Sequence, residues 1–169
     1  IESARKEMSR ELQLTIPKVP VGCMVEVPSF ALLADHFAKV CDFFSIGTND
    51  LMQYTLAMDR ICPESECIFQ MYHPSILHLI HKVVLAADNA GIEVSICGEA
   101  ASNEKFTKLL LGLGINNFSC SMRYIPTIRK VLKEISTIEA KELAQKALLL
   151  PSINQVQNLL ETSEKLMYS

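Results

Sequence analysis

The sequence predicts an α/β fold with a parallel sheet, on three observations. Four short apolar runs, residues 21–27, 43–46, 94–96 and 117–121, are each followed by a longer stretch with helical spacing. The runs are too far apart for hairpins, so they pair through right-handed crossovers and lie parallel. Finally, Glu26, Asn49 with Asp50, Cys97 with Glu99, and Ser119 with Ser121 all fall at the C-terminal ends of these runs. That is the edge on which both open α/β sheets and (β/α)8 barrels build their sites. The pattern alone does not choose between those two, although no Gly-x-Gly-x-x-Gly loop follows the first run.

Residues 1–13 are charged and helix-prone, with Ala4, Met8 and Leu12 four apart on one face, which predicts a surface helix ended by Pro17 and Pro20. The run 21–27 carries a single charge, Glu26, near its end. Pro28 and Ser29 then open a helix bearing Phe30, Leu32, Leu33, Phe37 and Val40. Phe43, Phe44, Ser45 and Ile46, between Asp42 and Gly47, read as a parallel strand covered on both faces. Residues 47–50 are its exit loop, and Leu51, Tyr54, Leu56 and Met58 continue as a helix with Asn49 or Asp50 as N-cap.

After a loop over residues 61–67, His73 and Pro74 start a helix that runs through Ile76, Leu77, Ile80, Val83, Val84 and Ala87 to a stop at Gly91. Ser102 or Asn103 caps the next helix, whose Phe106, Leu109 and Leu110 face inward before Gly112 and Gly114. Pro126 begins another. Ser136 with Glu139 and Ser152 with Gln155 form capping boxes for two more.

The 169 residues, 49% hydrophobic, suffice for one domain with a sizeable core. A net charge of -3 with dispersed lysines and arginines argues against nucleic acid as a partner. No apolar run reaches the ~18–20 residues of a membrane span, so no membrane insertion is expected. Six cysteines without zinc-type spacing read as reduced thiols, which favours the cytoplasm. Ile1 opens the chain inside a helix-like stretch, which suggests a piece of something longer.

The densest chemistry lies in residues 42–60. An anion at the helix start after the second strand meets unpaired backbone N–H groups and a favourable dipole. Arg60 adds a planar fork suited to phosphate or carboxylate, and Asp50 offers a hard oxygen to a divalent cation. The pairing suggests an anionic substrate bridged through a metal. Each residue also has a plainer reading: Asn49 as a helix cap, Arg60 as a solvated cation, Cys97 as a small buried hydrophobe.

Met24-Val-Glu-Val-Pro28, Asp42-Phe-Phe-Ser-Ile-Gly-Thr-Asn-Asp50, Gln53-Tyr-Thr-Leu-Ala-Met-Asp-Arg60 and Ile96-Cys-Gly-Glu99 resemble the signature stretches of the phosphoenolpyruvate-utilising enzymes. Enzyme I of the bacterial sugar phosphotransferase system is the nearest branch. One departure is Ile61-Cys62, where that family usually has Gly-Asn. The resemblance implies that residues 1–169 are the second half, strands 5 to 8, of a (β/α)8 TIM barrel with extra C-terminal helices. The first four strands, which carry further substrate-gripping arginines, are absent, so the chain holds half a site and is expected to be inactive alone.

The resemblance also implies residue roles. Glu26 and Asp50 would hold Mg2+, and Asn49, Asp50 and Arg60 would bind phosphoenolpyruvate. Cys97 would be the general acid that protonates the enolate left when the phosphoryl group departs to a protein histidine. The implied partners are a histidine-containing phosphocarrier protein, reached through an N-terminal domain, and a second copy in a homodimer. His36, His73, His78 and His81 lack the glycine-rich setting of a phosphoryl acceptor and read as helix-surface residues. Two other readings remain at this level: a barrel piece of pyruvate phosphate dikinase or phosphoenolpyruvate synthase, and a non-catalytic dimerisation module.

Overall fold

A computed structural model describes residues 1–59 and 70–167, with side chains through residue 163. The chain begins with α1 (Glu2–Glu11), which buries none of its residues. Met8 and Leu12 are exposed, so its apolar stripe faces outward. Four parallel strands follow in sequence order: β1 (Gly22–Val25), β2 (Phe43–Gly47), β3 (Glu93–Cys97) and β4 (Asn117–Phe118). The mixed α/β architecture with a parallel sheet is the one the strand-helix alternation predicts.

Between β1 and β2 the predicted single helix is two short ones, α2 (Pro28–Leu32) and α3 (Ala34–Phe37), because Leu33 leaves the helical region at φ -108°, ψ 20°. Phe30 stacks on Phe37 with ring centroids 4.1 Å apart and meets Phe44 edge-on at 5.6 Å. Thus α2 is pinned to the sheet by aromatic contacts. Helix α4 (Thr48–Leu56) leaves β2 directly, and α5 (Pro74–Ala90) leads to β3. The latter has the predicted ends: His73 as N-cap, its ring accepting from the Ser75 N–H, Pro74 at the first position, and Gly91 left-handed at φ 67°.

Helix α6 (Glu104–Gly112) is capped by Asn103, whose side chain accepts from the Phe106 N–H. Gly112 does more than end it. A Cβ there would lie 1.9 Å from the Ala140 carbonyl oxygen, so the glycine lets α8 (Thr137–Leu148) pack backbone against backbone. Helix α7 (Ile125–Glu134) precedes α8, and α9 (Ile153–Met167) follows it. Ser136 caps α8 as predicted, accepting from the Glu139 N–H. Lys108 of α6 ties the three helices together, reaching Glu139 at 3.4 Å and Ser163 of α9 at 3.3 Å.

In-register partners on parallel strands share a face. The row Val25, Ile46, Ile96 and Phe118 and the row Cys23, Phe44 and Val94 point toward the helices. There they join one core with Leu51, Leu77, Ile80, Phe106, Leu109 and Leu110. The alternate rows, Gly22 with Phe43 and Glu93, and Met24 with Ser45, Ser95 and Asn117, form the other face. This face is open: Met24 is 47% and Phe43 38% exposed. The expectation that residues 43–46 are covered on both faces is therefore corrected, since the helices bury only Phe44 and Ile46 of that run. Two strand boundaries also shrink, β1 to Gly22–Val25 and β4 to Asn117–Phe118, although the Ser119 N–H still donates to the Ile96 carbonyl at 2.8 Å. Among the described residues no helix is long and apolar enough to cross a membrane.

Candidate functional site

Continuing the register one residue past Val25 and Ile46 brings Glu26, Gly47 and Cys97 onto one row across β1, β2 and β3, on the open face. The contacts bear this out. A Cβ on Gly47 would sit 3.2 Å from Glu26 Cβ, 3.3 Å from Glu26 Oε2 and 3.2 Å from Met24 Sδ. The absent side chain at Gly47 is thus the space into which Glu26 folds. Glu26 is half-buried, and its carboxylate makes no hydrogen bond or ion pair with the described residues. A half-buried carboxylate without a protein partner suits a cation ligand.

Residues 47–50 are not the predicted loop. Gly47 closes the strand and is the N-cap of α4, with no side-chain cap bond, and Thr48 already lies in the helix. The polar side chains that would otherwise cap the first turn reach across to β3 instead. Buried Thr48 donates its hydroxyl to the Cys97 carbonyl at 2.9 Å, and Asn49 Oδ1 accepts from the Glu99 N–H at 3.2 Å. The reading of Asn49 or Asp50 as N-cap is corrected accordingly. With its oxygen so occupied, Asn49 has its two amide N–H donors left. Above this brace Gly98 turns at φ 87°, and a Cβ on it would come within 2.6 Å of Thr48 Oγ1 and 2.8 Å of Asn49 Oδ1. Asp50 is half-buried in the same first turn.

Cys97 is half-buried on the open face. Its thiol donates to the Ile46 carbonyl at 3.4 Å, accepts from Ser45 Oγ at 3.8 Å and lies 3.9 Å from Met24 Sδ. It therefore neighbours the same methionine that flanks Glu26 at Gly47 and is not sealed in the core. The structure brings Glu26, the Asn49 and Asp50 turn, and Cys97 to one rim; Arg60 lies outside the described residues.

A cleft of about 420 Å³ adjoins this rim on the β4 side, lined by Asn49, Glu99, Asn103, Ser119, Ser121 and Arg123 among others. Of the residues given a role from the sequence, only Asn49 lines it. Ser119 and Ser121 stand out in sequence as strand-end hydroxyls, but Arg123 does not. Its only local signal is the tyrosine that follows, over whose ring the guanidinium sits at 4.6 Å. Among the described residues no three His, Cys, Asp or Glu side chains group to hold a metal. A cation held by Glu26 and Asp50 would draw its other ligands from substrate and water, the usual habit of magnesium.

The histidines are dispersed as expected except in one respect. His36 and His78 are exposed and His73 caps α5, but His81 is half-buried, with a buried Nδ1 that has no hydrogen-bond partner.

A family model described as PEP-utilising enzyme, PEP-binding domain, matches residues 1–137. The chain is 45% identical over 145 residues to the phosphoenolpyruvate-protein phosphotransferase of Buchnera aphidicola subsp. Baizongia pistaciae, covering 86% of this chain and 25% of that protein. It is 42% identical over 161 residues to the protein of the same name from Haemophilus influenzae, 95% of this chain and 28% of that one. With Staphylococcus carnosus the figures are 39% over 165 residues, 98% and 29%. The chain thus spans about a quarter of the length of the curated relatives it matches. The match over residues 1–137, with these identities, means that this chain belongs to the family of PEP-utilising enzymes whose PEP-binding domain the model describes.

Proposed function

We propose that this chain contributes the strand 5 to 8 half of a (β/α)8 barrel in which phosphoenolpyruvate gives its phosphoryl group to a protein histidine and leaves as pyruvate. The observation that carries the reading is the shared row of Glu26, Gly47 and Cys97 beside the Asn49 and Asp50 turn. The sequential strand order and the single covered sheet face support the half-barrel: four further strands closing over Met24 and Phe43 would make that face the barrel interior. The relatives' name supports the reaction, and their about fourfold greater length supports a site completed elsewhere.

In this reading Glu26 and Asp50 would hold Mg2+, which would supply positive charge to the anionic substrate. Asn49 donates its amide N–H to a phosphoryl oxygen, beside the backbone N–H groups opening α4. Arg60 neutralises phosphoryl charge during transfer. The P–O bond breaks as the histidine nitrogen bonds phosphorus, and the electron pair passes to the enolate. Cys97, whose S–H points at the Ile46 carbonyl, then gives that proton to the enolate carbon. A cytoplasmic sugar phosphotransferase system, with a histidine-containing phosphocarrier as next acceptor, is the setting.

The test is Cys97→Ala in the complete enzyme, with the methyl stereochemistry of isotopically labelled pyruvate as readout. Loss of stereoselective protonation with phosphoryl transfer retained is expected; unchanged stereochemistry removes the assignment. Among the described residues β1 is an unpaired edge, and with the open face it also favours a second role as a self-association module, a homodimer in the simplest case. A monodisperse monomer in sedimentation would oppose it.

A further inference from the structure

At the opposite end of β1 from Glu26, two thiols face each other. Cys23, inside β1, and Cys41, just before β2, have sulfurs 3.3 Å apart. Among the described residues this is the one pair of cysteines whose sulfurs touch; Cys97 and Cys120 have no thiol neighbour. The backbones that carry the pair are clamped by their neighbours. The Asp42 N–H donates to the Val21 carbonyl at 2.8 Å, and the Val21 N–H donates to Asp42 Oδ2 at 2.7 Å. Both cysteines pack against the core yet remain half-buried, so a small oxidant reaches them. Closing the gap to the ~2.05 Å of a disulfide takes just over ~1 Å of sulfur movement, within reach of small side-chain rotations.

We propose that Cys23 and Cys41 form a reactive dithiol site that a hydroperoxide converts to a disulfide, tying β1 to the segment entering β2. Cys41 donates its S–H toward Cys23, which leaves the Cys23 sulfur as the nucleophile. Burial, with the Cys23 contact and Asp42 adding to it, pushes the Cys41 thiol up to about 11, so it holds its proton until it acts as the resolving partner. In the first step Cys23 sulfur attacks a peroxide oxygen; the O–O bond breaks, the sulfur becomes a sulfenic acid and water leaves when hydrogen peroxide is the oxidant. In the second, Cys41 sulfur attacks the sulfenic sulfur, the S–O bond breaks, and the departing hydroxyl takes the Cys41 proton as water. Two thiols are oxidised and one peroxide is reduced.

The first experiment needs no variant. The reduced chain is treated with hydrogen peroxide, remaining thiols are alkylated, and the protein is digested with trypsin without reductant. Cleavage after Lys18, Lys39 and Arg60 puts Cys23 in peptide 19–39 and Cys41 in peptide 40–60. The two peptides joined, two hydrogens lighter, are expected as the first oxidation product, with Cys97 and Cys120 alkylated. Cys23 and Cys41 recovered alkylated while other cysteines are oxidised, or either joined to a different cysteine, would overturn the proposal. In Cys41→Ser, a dimedone adduct on Cys23 is expected; an unmodified Cys23 would overturn its place as the attacked sulfur.

Discussion

The two faces of the sheet use the same strands for opposite ends. On the helix side, Val25, Phe44, Ile46 and Ile96 are fully buried and apolar, and what they contribute is stability. On the other side, glycine, serine, cysteine and methionine leave room, and beside them lies a rim of half-buried polar groups. Phe43 and Phe44, adjacent and chemically identical, divide cleanly: one is 38% exposed with its ring over Gly22, the other is wholly inside. A parallel sheet normally hides both faces. Here the covered face folds the chain, and the open one presents the polar groups at the strand ends.

The largest effect that would break or bear out this division is Phe44→Ala. Removing a buried ring that meets Phe30 edge-on should cost about 3–5 kcal/mol, read as a drop in the urea midpoint. A loss comparable to that of a surface residue would mean the helix side is not the core. Next comes Gly98→Ala at the rim. A conformation of φ 87°, ψ -169° that is essentially glycine's alone costs about 1–3 kcal/mol for alanine. The added Cβ would also force Thr48 Oγ1 and Asn49 Oδ1 aside. Phosphoenolpyruvate affinity of the complete enzyme should then fall more than stability does; an intact affinity would detach Asn49 from the substrate.

How much of this could be read from the chain alone follows from the range of the forces involved. Pro74 and Gly91 mark the ends of α5 because their preferences are set by their own backbone, and the strand-end polar residues stand out against apolar runs. Phe43 and Phe44 look alike in sequence, and only the register against β1 and β3 decides which is hidden. Thr48 and Asn49 read as a loop because their partners, the Cys97 carbonyl and the Glu99 N–H, come from the end of β3 and the turn after it, some fifty residues away. Gly112 reads as a helix stop, but Ala140 is the reason for it. The spacing of Cys23 and Cys41 carries no pattern, and Arg123 enters the cleft only once β4 and its turn are placed.

Alkali offers a smaller probe of the covered side, where Cys41 packs against the core. Its thiol is held from the ordinary 9.0 up to about 11, chiefly by burial. The unfolded chain therefore releases that proton first. This contribution is intact below about pH 9 and declines as pH rises from there toward 11, after which it stays flat. Urea midpoints across that window, under reducing conditions, should fall for the native sequence and fall less for Cys41→Ser. Equal slopes would place the thiol in a more watery setting than the packing indicates.

The smallest effect in this chain is the most discriminating between the faces. Phe43→Ala removes a ring already partly in water, so the stability of these 169 residues should change by about 1 kcal/mol or less. If four further strands cover the open face in the complete enzyme, the same substitution there hollows out a packed interior. Its cost should then approach the ~3–5 kcal/mol expected at Phe44. The comparison needs only matched urea titrations of the two lengths of chain. A Phe43→Ala effect that stays small in the complete enzyme would mean that the open face remains open, and the barrel reading would fall with it.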